Sequence, residues 1–151
     1  EKQTLFMKYI YLFSIVLTLV SCNFNKTYSN RQSDIEEAKK ISDKYYWEVK
    51  YGSNEDEIFK LFSDAFFEAT DKDKLREIIH VTNTKIGKIE GQDLIKAESF
   101  IVEGSNPKSE YVIYYNVTRA DGKTQEKISM RKEDGIVKII GYNINQDLLD
   151  Q

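Results

Sequence analysis

Apolar residues fall along the chain in three regimes. From Tyr9 to Leu19 they are nearly continuous, interrupted by Ser14 and Thr18. Between Ser33 and Val81 they recur every three or four positions, the period of a helix that buries one face. Beyond Asn83 they alternate with polar residues, the period of a strand.

The helical regime predicts about three helices. Ser33 followed by Glu36 has the form of a capping box, and Ile35, Ala38, Ile41, Tyr45 and Val49 continue at helical spacing until Gly52 stops the run. Ser53 or Asn54 caps a second helix carrying Ile58, Phe59, Leu61, Phe62, Ala65, Phe66 and Ala69, with Phe67 beside them. Its aromatic rings bring the largest apolar area on any predicted helix, so the core is expected around it. Thr70 and Asp71 cap a third, with Leu75, Ile78 and Ile79 facing inward.

The alternating regime predicts strands at Lys85 to Glu90, bent at Gly87, and at Leu94 to Glu103, Ser109 to Arg119, Lys123 to Lys132 and Ile136 to Asn145. Asp121-Gly122 and Asp134-Gly135 are hairpin signals, because tight turns between twisted strands need backbone that Asp and Gly adopt readily. Helices followed by a meander predict an α+β domain, with the helices packed on one face of a four- to five-stranded antiparallel sheet.

The first regime is short for a membrane-spanning helix and fits the apolar core of a signal peptide. Met7 is read as the start, with residues 1–6 upstream of it, and Lys8 gives the positive leader. The run ends in Leu19-Val20-Ser21-Cys22, and Cys22 is the sole cysteine. This sequence resembles the lipobox of bacterial lipoproteins. The resemblance implies that the Cys22 thiol carries a diacylglyceryl group and that a peptidase recognising Leu19, Val20 and Ser21 cuts before it. The expected organisation is a signal peptide over 1–21, a lipidated cysteine and polar tether over 22–32, and one α+β domain over 33–151. The expected location is the bacterial cell envelope, with the domain outside the cytoplasm and the membrane as its partner through lipid on Cys22.

Composition narrows the chemistry. The chain has 22 Lys and Arg against 25 Asp and Glu; without Lys2, Lys8 and Glu1 the mature part keeps 20 against 24. A nucleic-acid partner, which asks for clustered basic charge, is not expected. One cysteine permits no internal disulfide, and the single His80 cannot form a paired-histidine metal motif, so neither metal nor cofactor is expected. Asp71, Asp73 and Glu77 lack the glycine of a calcium loop, and Gly122-Lys123-Thr124 lacks the earlier glycine of a phosphate loop. Tyr45, Tyr46 and Trp47 are read as packing residues, and no catalytic residue is assigned.

A further resemblance lies in Glu133-Asp134-Gly135-Ile136-Val137-Lys138-Ile139-Ile140-Gly141-Tyr142-Asn143-Ile144-Asn145, in Phe62 and Phe66, and in Gly87-Lys88-Ile89. These are similar to the last hairpin, the second helix and the sheet entry of uncharacterised bacterial lipoprotein domains with cystatin-like or nuclear-transport-factor-like folds. That pattern often has Trp where this chain has Val137. The resemblance implies a fold and carries no catalytic residues.

Two functions remain in view. One is a non-enzymatic binding or interaction module, with an envelope protein or a second copy as partner. The alternative is a small-ligand carrier or an enzyme using the cleft between helices and sheet. Tyr111, Ile113, Tyr115, Ile140 and Tyr142 are expected to face the helices. Val112, Tyr114, Val137 and Ile139 are then expected on the opposite face as an interaction surface, unless loops or the tail around Leu148 and Leu149 cover them.

Overall fold

Five antiparallel strands lie side by side in chain order in a computed structural model that describes residues 25–145. The predicted signal segment, Cys22 and the tail at Leu148 and Leu149 lie outside the described residues. The strands are β1 (Lys26–Ser29), β2 (Ile89–Glu103), β3 (Lys108–Arg119), β4 (Gly122–Glu133) and β5 (Ile136–Asn145). Between β1 and β2 come α1 (Gln32–Tyr51), α2 (Glu55–Phe59), α3 (Asp64–Ala69) and α4 (Lys72–Lys85). The α+β class and the five-stranded antiparallel sheet are therefore as expected, and the detail differs in instructive places.

The polar stretch read as a tether contains a strand. β1 pairs with Phe100–Glu103 of β2, and Asn30 exchanges bonds with Ser99 through its backbone N–H and its side-chain oxygen. Four residues of mixed polarity carry too little alternation to be read as a strand on their own. The capping box does not form either. α1 starts at Gln32, and the Arg31 guanidinium bonds both carboxylate oxygens of Asp34 instead. The later caps follow expectation in kind: Asn54, Ser63 and Asp71 each accept a backbone N–H from the helix that follows.

The predicted second helix is two short ones. Between them the chain makes a parallel bridge to β5: Ile139 N–H donates to Leu61 C=O, and Ser63 N–H donates to Ile139 C=O. The bridge takes backbone groups that a continuous helix would use internally. Phe62, Phe66 and Phe67 still cluster, with Phe62 and Phe66 ring centres 4.6 Å apart. The first two predicted strands are one long β2, with irregularities opposite β3 at Glu90 and Ile95, and Lys85 closes α4 instead of opening a strand.

The turns are equally specific. Asp134 and Gly135 both have positive φ, +49° and +80°, which is the backbone of the tightest hairpin turn. The β3–β4 turn is built otherwise. Its N–H groups at Ala120 and Asp121 donate to Lys88 and Ile86, so it leans on the segment leading into β2. Gly87 permits this approach, since a Cβ there would stand 2.7 Å from Ala120 Cβ and its φ is +89°.

The core lies between α1 and the inner face of β3, β4 and β5. Tyr45, Tyr46, Tyr111, Tyr115, Ile113, Ile128 and Met130 are almost fully buried there. Tyr45 meets Phe62 and Tyr142 edge to face, and Tyr46 meets Tyr115 likewise.

The predicted face of β5 is corrected. Val137 and Ile139 are 4% and 1% exposed and belong to the core. The cause is a bulge. Ser129 pairs with Gly141, but one step on Met130 pairs with Ile139, so Ile140 is an extra residue and the alternation shifts by one. A strict period of two carried from Tyr142 puts Val137 and Ile139 on the wrong side. Val112 and Tyr114 do lie on the face away from the helices, half-buried, beside Glu98, Lys96, Ser129 and Lys127 on neighbouring strands. The four-residue apolar surface does not exist as a unit.

Candidate functional site

One polar cluster sits inside the apolar layer. Arg119 and Glu126 face each other across the β3–β4 hairpin with side chains 2% and 0% exposed, Nη2 to Oε1 2.8 Å. Thr124 Oγ1 donates to the same oxygen at 2.7 Å. The other carboxylate oxygen accepts from Tyr142 Oη at 2.6 Å and Tyr46 Oη at 3.1 Å. Arg119 also donates to Asn83 Oδ1 at 3.0 Å and more weakly to Gly87 C=O and Thr124 Oγ1. Glu126 thus accepts four hydrogen bonds, and the cluster joins α1, α4, β3, β4 and β5.

Such a pair is tolerable because each charge is both matched and hydrogen-bonded. Burial, with the Glu126 carboxylate next, holds the Tyr45 and Tyr46 hydroxyls well above their ordinary range. Burial, with Tyr45 next, does the same for Tyr142. These hydroxyls stay protonated, and those of Tyr46 and Tyr142 donate to Glu126. With four donors on its two oxygens, the Glu126 carboxylate is committed to the packing of the core.

Neither member of this pair was identified from sequence, yet a signal was present. Arg119 is in phase with Tyr111, Ile113, Tyr115 and Val117, and Glu126 is in phase with Ile128 and Met130. Opposite charges at inward phases on both arms of one hairpin mark a buried pair.

Several recesses on the described residues open to the outside. A groove of about 460 Å³ runs between α4 and the end of β5, lined among others by Lys74, Ile78, Val81, Lys85, Tyr142 and Ile144. Tyr142 is its link to Glu126. His80 is exposed on α4 in a second groove with Glu55, Phe59, Arg76, Ile79 and Asn83, where Glu55 is bonded to Arg76. Of the predicted aromatic run, Tyr45 and Tyr46 are core, while Trp47 is 56% exposed, its ring centre 6.2 Å from that of exposed Tyr51 and tilted to it.

Among the described residues no group of three His, Cys, Asp or Glu side chains is placed to hold a metal ion. No described helix is long and apolar enough to cross a membrane. Leu19, Val20, Ser21 and Cys22 lie outside the described residues. No protein-family model matches the chain, and no curated protein matches it.

Proposed function

We propose that the chain is a bacterial lipoprotein, held on an envelope membrane through lipid on Cys22, whose exported domain is a non-enzymatic binding or interaction module. We further assign the domain to the cystatin-like or nuclear-transport-factor-like α+β folds. The observation that carries the reading is Leu19-Val20-Ser21-Cys22, placed directly after a short apolar run and containing the sole cysteine. Two or three acyl chains, at about 0.8 kcal/mol per buried methylene, give lasting attachment where one chain gives only marginal binding. The groove that reaches Tyr142 favours the second reading, a small-ligand carrier or enzyme.

The test is chemical. Wild-type protein is expected in the detergent phase, with the mass of a diacylglyceryl group or more on its amino-terminal peptide. Cys22→Ser should be released or left unprocessed. An unlipidated wild-type peptide, together with equal membrane retention of Cys22→Ser, would overturn the reading.

A further inference from the structure

If Cys22 carries lipid, very little chain separates that lipid from the folded sheet. Asn25 already belongs to the domain, since its side-chain oxygen accepts a hydrogen bond from Ser105 N–H at 3.1 Å in the β2–β3 turn. β1 starts at the next residue and is held along its length by β2. Tyr28 packs against the core, and the Arg31 guanidinium lies 4.3 Å from its ring centre. Asn23 and Phe24 alone intervene between Cys22 and this anchored segment. At no more than about 3.6 Å per residue, Asn25 stands within about 11 Å of Cys22 whatever path the chain takes. A tether of ten residues would let any part of the domain approach the lipid; one of two residues keeps the end bearing Asn25 nearest to it.

The register says which end of the molecule this is. β1 pairs with the last residues of β2, so the β2–β3 turn at Gly104–Pro107 lies at the anchored end. Glu110 pairs with Arg131 and Glu133 with Ile136, which puts the Asp134–Gly135 turn at the same end. That end suits a bilayer surface. The first turn is uncharged from Gly104 to Pro107, and the second is followed by Ile136, an isoleucine 58% exposed. Three of its cations are matched locally, Lys108 by Glu110, Lys132 by Glu37 and Arg31 by Asp34, and Arg131, Glu133 and Asp134 add charges of both signs beside the second turn. A zwitterionic headgroup layer therefore meets charges of both signs and an exposed apolar side chain there.

α1 runs from this end to the other, where Lys50 Nζ bonds Glu90 C=O at the start of β2. At 1.5 Å per residue Trp47 lies about 23 Å along α1 from Gln32. β3, twelve residues long, separates the two ends by about 40 Å. Exposed Trp47 and Tyr51 and the groove between α4 and β5 all lie toward the far end.

We propose that the end of the sheet bearing the β2–β3 and β4–β5 turns rests on the lipid surface, and that the domain presents the opposite end, with Trp47 and Tyr51, outward. The proposal rests on the lipoprotein reading above and adds a fixed orientation to it.

Trp47 is the sole tryptophan, so the protein carries its own far-end reporter. The full lipidated chain is placed in phosphatidylcholine vesicles containing a phospholipid with a nitroxide on its headgroup. Trp47 fluorescence should be nearly unquenched. Two near-end reporters, Trp47→Phe with Ile136→Trp and Trp47→Phe with Asn106→Trp, should be quenched several-fold more, at low and high salt alike. The mass of the amino-terminal peptide is read on the same samples. Lipidated protein in which Trp47 is quenched as strongly as the near-end reporters overturns the orientation alone. Vesicle-bound protein without lipid on Cys22 overturns the lipoprotein reading and the orientation with it.

Discussion

Glu126 shows how much one residue can organise. Its carboxylate ties together a guanidinium and three hydroxyls from different elements, in a region otherwise filled by aromatic and aliphatic side chains. Arg119→Met leaves that anion buried without its cation, and the expected loss of stability is about 3–5 kcal/mol. Arg119→Met combined with Glu126→Leu removes both charges and should cost clearly less than the two single changes added together. The remaining loss reflects Tyr46, Tyr142 and Thr124, whose hydroxyls then lack an acceptor. Denaturant unfolding of the three variants measures this. A loss under about 1 kcal/mol for Arg119→Met would mean that the pair is solvated and the core wrongly placed.

At the scale of elements, β5 is decided by its bulge. Ile139 lies in the core, bonded through its backbone to Leu61 and Ser63, while Val112 lies half-buried on the outer face of β3. Ile139→Glu should therefore leave no folded domain, because a carboxylate at that place has no partner and desolvation costs several kcal/mol. Val112→Lys should fold, with circular dichroism unchanged and a stability shift within about 1 kcal/mol, typical of a partly exposed site. A folded Ile139→Glu domain beside an unfolded Val112→Lys one would reverse the face assignment. The alternation of β3 and β4 was legible in sequence because both strands keep a strict period of two. The face of β5 was not, because a bulge has no reliable mark in one sequence and moves every residue beyond it to the other side. The break between α2 and α3 was hidden for a related reason. Leu61, Phe62 and Ser63 continue a helical pattern, and only the approach of β5 offers their backbone a different partner.

For the whole molecule, the shared property is a core rich in tyrosine. Burial, ahead of any neighbouring charge, raises Tyr111 and Tyr115 to about 12 and lifts Tyr45, Tyr46 and Tyr142 well above 10.0. Each folded value stands above the unfolded value, so the folded state favours the protonated form. Their contribution is complete below pH 10.0 and is lost as the pH rises through the folded values. The melting temperature should therefore fall steeply between pH of about 10 and 12, with tyrosinate absorbance rising together with loss of near-ultraviolet circular dichroism. Ionisation of these tyrosines near pH 10.0 with the fold intact would show that they are solvated.

The sequence by itself determined the class of the fold and the expectation of an anchor. Helical spacing followed by alternation leaves few arrangements other than helices laid on one face of an antiparallel meander. The lipobox-like run Leu19-Val20-Ser21-Cys22 is a local pattern that needs no tertiary partner to be legible. What only the tertiary structure decided is what depends on residues far apart in the chain meeting. β1 is a strand because β2 completes its hydrogen bonds, β5 shows its particular face because Met130 pairs with Ile139, and Glu126 is accommodated in the core because Arg119, Tyr46 and Tyr142 converge on it. Periodicity records what a residue does to its neighbours along the chain, and these three outcomes are fixed by partners across the sheet.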